Sequence, residues 1–319
     1  MDYIYMDVTG CTNVQALTVT DSHTAATATA LVVAESTTLD IGDLVTIDAG
    51  YTTNHENIFI GYVKEIQVRE PERLYNITLS NVMIRAVDYY LVSSNPESPF
   101  TRSNIAAEDL IEQLLAISGI TSYTSDATSF TFAVNNPMEV NLTSIYDYCR
   151  FIADILAYHL YADSAGTAHF INRRPYVMDS DVSVGTIVNT DILDFLFMYS
   201  DNDLRNRVVV YGSEGIYAED SEESPYLPED YYKSAAVSAP GVIDTQDMAD
   251  QSASYNLDLL NRLTYRCNLT ILGDPSLAVR QVITLDKDDV DGASEDWYIY
   301  GAEHSISKEG FVTSLELRR

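Results

Sequence analysis

Alternating apolar and polar positions dominate both ends of this chain. Ala28 to Val33 is an apolar, β-branched run, and Ile41-Gly42-Asp43-Leu44-Val45-Thr46-Ile47-Asp48 sets a Gly-Asp turn ahead of an alternating strand. Ile58 to Val68 alternates through its second half, Glu70-Pro71-Glu72-Arg73 supplies a turn, and Leu74 to Leu79 returns. Side chains two apart share one face of a strand, so short alternating runs between turn residues predict a sandwich or barrel over residues 1–92. Met1 to Asp7 has neither the basic region nor the continuous apolar stretch of a secretory signal and reads as the first strand.

The period lengthens in the middle, past a boundary expected at Pro96 to Pro99. Between Ile105 and Ile117, residues Leu110, Ile111, Leu114 and Leu115 share a helical face, Glu108 and Asp109 suit the positive N-terminal end, and Gly119 stops the helix. A second helix is predicted from Ile145 to Tyr158, with Ser144 and Asp147 spaced as in a capping box. His159 to Ala162, a turn over Asp163 to Gly166, and Ala168 to Ile171 predict a hairpin that could set His159 against His169.

Strands return in the last third. Arg207 to Gly212 reads as one, residues 213–243 as an irregular acidic loop, and Asp244 to about Arg262 as a third helix. Leu263, Tyr265, Cys267, Leu269 and Ile271 alternate with polar neighbours as in a half-buried strand. Gly273-Asp274-Pro275 turns, Val279 to Leu285 follows, and Trp297 to Ser307 with Phe311 to Leu317 forms a closing hairpin. No period of 20–50 residues recurs, which excludes a solenoid.

Composition narrows the function. With 319 residues, 46% of them apolar, the chain can bury the cores of two or three domains. No apolar run reaches about 18 residues, so no membrane-spanning helix is expected. Acidic residues number 48 against 18 basic ones, for a formal charge of −30, and the only lysines are Lys64, Lys233, Lys287 and Lys308. Neutralising phosphates requires a basic surface, which argues against sequence-specific nucleic-acid binding and against an anionic membrane. Two accounts of the acid fit: a lumen past which DNA slides without sticking, or adaptation to molar salt, where the Debye length shrinks to about 3 Å.

Candidate chemistry fails motif by motif. His55-Glu56 opens like a zinc-protease motif, but Phe59 stands where the second histidine belongs. Asp286 to Gly292 resembles a calcium loop, but aligning Gly292 to the sixth position puts Lys287 first and Tyr298 last. Neither a phosphate-cradling glycine loop nor a nucleophile elbow occurs. His23, His55, His159, His169 and His304 share no metal spacing, and Cys11, Cys149 and Cys267 are too scattered for a zinc site or a disulfide framework. The triplets starting at Asn76, Asn141 and Asn268 match the glycosylation pattern by chance. No catalytic, cofactor-binding or metal residue is expected. The 23 tyrosines, Tyr89, Tyr90, Tyr231 and Tyr232 among them, suit interfaces or core packing equally.

The order of elements resembles the baseplate and tail hub family of tailed viruses, the late control gene D-like hubs. Gly42-Asp43-Leu44-Val45 followed by Phe59-Ile60-Gly61-Tyr62-Val63 looks like its first barrel, and the Ser103 to Ile117 and Ile145 to Tyr158 helices with the hairpin that follows look like its inserted α/β portion. Asp191 to Phe195 with Asp203 to Gly212 looks like the opening of its second barrel, and Gly273 to Leu277 with Gly310 to Leu317 looks like its end. The resemblance implies an α+β, mainly β fold of two tail-tube-like β-barrels: residues 1–95, an α/β portion at 96–189, and 190–319 with a long helix. It further implies a non-enzymatic homotrimer at the virion tail tip, assembled in the host cytoplasm. Such a trimer adapts a sixfold tail tube to a threefold tip and surrounds a DNA-passage channel. Implied partners are tail tube or distal tail ring proteins, spike or fibre proteins and the tape measure protein. Larger members carry spike or lysozyme modules after the second barrel; here those are expected as separate chains. A host-surface or carbohydrate-binding tail-tip protein is the alternative reading, and a glycosidase, which needs two carboxylates in an aromatic cleft, a third.

Overall fold

A computed structural model describes residues 3–92, 100–132, 138–140, 142–172, 176–178 and 180–319, and the boundary expected at Pro96 to Pro99 lies outside them. The strands of its large sheet are β1 (Ile4–Val8), β2 (Cys11–Ser22), β3 (Thr29–Thr37), β4 (Leu44–Tyr51), β5 (Asn54–Arg69) and β6 (Leu74–Asn81), then β7 (Thr186–Val188), β8 (Ile192–Ser200), β9 (Thr264–Leu272), β10 (Val282–Asp286), β11 (Asp296–Ser307) and β12 (Gly310–Arg318). The first six pair in the order β1-β4-β5-β6-β3-β2, and the last six in the order β7-β10-β11-β12-β9-β8. One strand order therefore occurs twice.

The edge strands of each set are neighbours in sequence. β1 and β2 are joined only by Thr9 and Gly10, with Gly10 at φ +77°, and β7 and β8 only by a 3-10 turn at Asn189–Asp191. A sheet whose two end strands are covalently linked this closely must curl on itself. One difference is that β7 runs parallel to β10 whereas β1 runs antiparallel to β4. The two units meet where β2 pairs with the part of β11 that runs past β10, from Ala16 opposite Ser307 to Ser22 opposite Gly301.

Each unit keeps its own core. Val32, Val45, Ile47, Ile77 and Leu79 pack inside the first; Cys267, Leu269, Ile283, Trp297 and Leu317 pack inside the second. The alternation in Leu263 to Ile271 holds, with Cys267, Leu269 and Ile271 buried and Asn268 exposed.

Helices α1 (Ile84–Asp88), α2 (Ala107–Ile117), α3 (Ile145–Leu156) and α4 (Gln246–Leu260) surround a third core. The α2 stripe Leu110, Ile111, Leu114 and Leu115 is wholly buried. Ser144 caps α3 by accepting from the Asp147 backbone N–H at 3.0 Å, as its spacing implied. That helix ends at Leu156 rather than Tyr158, because Ala157 turns left-handed at φ +51° and hands Tyr158 to the hairpin.

Three local expectations are corrected. Arg207–Tyr211, read as the opening of the second barrel, lies instead between Tyr217–Ser221 and Ser234–Ser238 in a separate three-stranded sheet. Val208, Val209 and Val210 are all buried, the pattern of a strand covered on both faces, and Val208 and Val210 join the helical core with Met248 and Leu257 of α4. Residues 213–243, read as an irregular loop, supply the two flanking strands. The stretch between β8 and β9 thus interrupts the second unit and packs on the middle helices; Ser252 donates to the Ile155 carbonyl at 2.8 Å. Finally, His159 faces Ile171 across the hairpin, and it is Tyr161 that faces His169.

Candidate functional site

The two sheet units and the α/β portion converge on a cleft of about 270 Å³. Asp21 and Ile60 line it from the first unit, Tyr161, Asp163 and His169 from the hairpin, and Arg280 and His304 from the second unit. Arg280 is the central piece. Its guanidinium pairs with Asp21 at 2.7 Å and sits 4.1 Å from the centre of the Tyr161 ring, so one side chain grips all three parts. Its side chain is only 6% exposed, where the charge needs such partners. Its backbone is left-handed at φ +78°, a conformation costly for any residue with a Cβ, and is held by an N–H···O bond to Ile299 at 2.8 Å.

Tyr161 also stacks on His169, ring centres 4.8 Å apart and 14° from parallel. His169 Nε2 lies 2.9 Å from Asp163 Oδ2, and Nδ1 lies 2.7 Å from Thr124 Oγ1. Burial pushes the Asp163 carboxyl up, but the His169 ring and the Thr167 and Ala165 amides outweigh it and hold it below the ordinary value. Hydroxyl, imidazole and carboxylate in a row have the order of a nucleophile relay. Here strand register sets the contact, since Thr124 is the direct cross-strand partner of His169. The row fastens the strand Tyr123–Ser125 to the hairpin. On the far wall, His304 Nε2 donates to the Leu277 carbonyl at 2.9 Å while Nδ1 meets Thr313 Oγ1 at 3.1 Å, and burial lowers its pKa.

The remaining sequence candidates scatter. His55 pairs with Asp48 at 2.8 Å and packs at a tilt against Tyr5, 4.2 Å between ring centres. His23 and His159 meet edge to face, 4.0 Å between centres, beside Tyr176, Tyr298 and Tyr300 at the same three-way junction. In the Asp286–Gly292 loop a lysine ammonium stands where a calcium ion would: Lys287 Nζ lies 2.7 Å from Asn189 Oδ1 and 2.9 Å from Asp289 Oδ1. The three cysteines are free thiols; burial pushes the Cys267 thiol up to about 12, which keeps it uncharged. Tyr89, Tyr90, Tyr231 and Tyr232 are exposed. Asn76 and Asn268 sit in strands, and Asn141 lies outside the described residues. Among the described residues no three metal-ligating side chains gather, and no helix is long and apolar enough to cross a membrane.

Sequence reasoning passed over Arg280 and Asp21. A lone Arg in a Leu-Ala-Val-Arg-Gln run and an Asp at a strand end carry no local signal; their meeting depends on the β2–β11 junction.

No protein-family profile and no curated sequence matches the chain. Solved structures do. A tail protein from Neisseria meningitidis MC58 superposes over 100% of this chain and 96% of its own, with a TM-score of 0.71 at 11% identity. The 43 kDa tail protein of prophage MuSo2 from Shewanella oneidensis matches over 99% and 98%, with a TM-score of 0.70 at 13% identity. An Escherichia coli type VI secretion component, described as structurally similar to the T4 tail proteins gp27 and gp5, matches over 98% and 76%, with a TM-score of 0.61 at 8% identity. The chain has the fold of these tail proteins.

Proposed function

We propose that this chain, built on a fold shared with phage and prophage tail proteins, is a structural tail hub without enzymatic activity, acting as a homotrimer at the virion tail tip. The observation that carries the reading is the repeated strand order: 1-4-5-6-3-2 occurs once within residues 4–81 and again within residues 186–318. A chain with two like units turns a threefold assembly into six like units in a ring. That is the arithmetic required where a sixfold tube meets a threefold tip. In this reading the α/β portion, which has a core of its own, contacts neighbouring tail proteins through its outer faces, and the net charge of −30 keeps the passage negative so that DNA slips through.

The test is particle averaging by electron microscopy together with mass measurement in solution. Threefold rings showing six similar peripheral densities around a hole are the expected result. A monomer across the working concentration range, in both low and molar salt, overturns the hub reading.

A further inference from the structure

The two sheet units match residue by residue, down to their irregularities. β2 and β8 each bulge at one residue against the next strand, at Gln15 and Leu193. β5 and β11 likewise each bulge at one residue, at Lys64 and Tyr300. With the bulges aligned, the cross-strand row Leu17, Val32, Ile77 and Ile66 of the first unit becomes Phe195, Leu269, Leu315 and Ala302 of the second. β2 therefore corresponds to β8, with Ala16 equivalent to Asp194, and β5 corresponds to β11, with Glu65 equivalent to Gly301.

The β2–β11 junction uses one member of each equivalent pair, and the other members are left open. Among the described residues β8 pairs only with β9, and residues 65–69 of β5 pair only with β6. An open strand edge presents a row of main-chain donors and acceptors to any strand that can reach it. The side chains there are bare as well. His304 is 5% exposed beneath the junction, whereas its equivalent Val68 is 56% exposed. Val19 is buried at the junction, whereas its equivalent Phe197 is half-buried and Tyr199, two residues on, is 68% exposed. The same positions are covered where the junction exists and uncovered where it is missing.

We propose that β8 of one chain pairs antiparallel with residues 65–69 of β5 in a second copy, repeating the β2–β11 junction between chains. The occupant is another copy because the two open edges are the equivalents of two edges that already pair within the chain, and one lies on each unit. Carrying over the register that sets Val19 opposite His304 and Asp21 opposite Ala302 places Phe197 opposite Val68 and Tyr199 opposite Ile66, with Met198 opposite Gln67. Main-chain bonds supply the affinity of such strand addition, and the apolar side chains on one face fix its register. A contact of one unit's edge with the other unit's is head to tail, so its repetition either closes a ring or runs on as a filament. This contact rests on the reading of the chain as a self-assembling hub, and it names the surfaces through which the copies join.

The experiment mixes full-length chains carrying single cysteines and oxidises them mildly, in a Cys11→Ser background because Cys11 is the one native thiol not buried. Met198→Cys chains should cross-link to Gln67→Cys chains, or Tyr199→Cys chains to Ile66→Cys chains. Consecutive antiparallel positions alternate between the two pair geometries, so one of these combinations suits a disulfide. Met198→Cys with Ile66→Cys puts the thiols on opposite faces and should not cross-link. The double variant of the productive pair should stop at three linked chains. Separately, Val68→Glu and Tyr199→Glu change exposed side chains of the single chain, so each should leave its fold intact. Each should also weaken self-association roughly tenfold or more, because the carboxylate would be buried without a partner. A wild type that is trimeric by mass, yet cross-links at neither pair or assembles equally well with both glutamates, overturns the strand pairing and leaves the hub reading standing. Specific cross-links that run past three chains support the strand pairing and remove the threefold ring. A wild type that stays monomeric in low and molar salt overturns both.

Discussion

Arg280 and Asp21 stand 259 residues apart in the chain and 2.7 Å apart in space. Their ion pair bridges the two sheet units at the point where β2 joins β11, and the Tyr161 ring brings the α/β portion to the same place. Removing either partner leaves the other charge without compensation in a largely dry setting. Arg280→Ala is expected to cost about 3 kcal/mol of stability, toward the low end for a buried pair because Asp21 keeps some contact with water. Arg280→Gly also loses the pair but relieves the left-handed backbone, so it should be the milder of the two by about 1 kcal/mol. Urea denaturation of both variants and of Asp21→Asn checks this, and equal losses for the Ala and Gly variants would show that the backbone strain is immaterial.

Acid should weaken the fold in two stages. The buried His304 titrates below its ordinary 6.5, so under that pH the unfolded chain takes up a proton that the folded chain refuses, and stability falls as pH drops. Asp163 titrates below its ordinary 3.8, so its contribution is complete above that value and is lost as pH falls further. Urea midpoints from about pH 8 down to about pH 3 should show both declines, and His304→Gln should remove only the first.

Gly273 is fixed by crowding. Its N–H donates to the Phe311 carbonyl at 3.0 Å, and a Cβ at this position would overlap the Phe311 ring, which is buried in the core of the first unit. Gly273→Ala must therefore displace an aromatic anchor, at an expected cost of about 2 kcal/mol. A melting temperature equal to that of the wild type would contradict the close approach.

Lys287 acts as a built-in counter-ion. Its ammonium is buried among Asn189, Asp289 and the Phe195 ring. Millimolar calcium should leave the wild-type melting temperature unchanged. Lys287→Ala should lower it and make it respond to calcium, because the loop's carboxylates then lack a cation. Calorimetry with and without chelator is the measurement.

Salt should strengthen the assembled protein. A trimer would carry three times the −30 of one chain, and those carboxylates lie mostly at surfaces where screening matters. Melting and sedimentation from about 0.1 M to about 3 M potassium chloride should show rising stability as the Debye length falls from about 10 Å to below 3 Å. Indifference to salt would remove the halophilic account of the acidity and leave the hub reading on its strand order.

Period and capping are local properties, and here they were readable. The alternation around Cys267, the four-residue stripe of α2 and the Ser144 cap depend on neighbours within a few residues, so the chain alone specified them. Partnership is not local. Val208, Val209 and Val210 announce a strand but not its sheet; only the cover that α4 provides takes them out of the barrel wall. The repeated strand order was equally hidden, because pairing β7 with β10 and β2 with β11 leaves no mark in either segment. The Arg280–Asp21 pair has that origin too: its residues come from distant segments, and two charges far apart in sequence become a bridge only when tertiary packing brings them together where water is scarce.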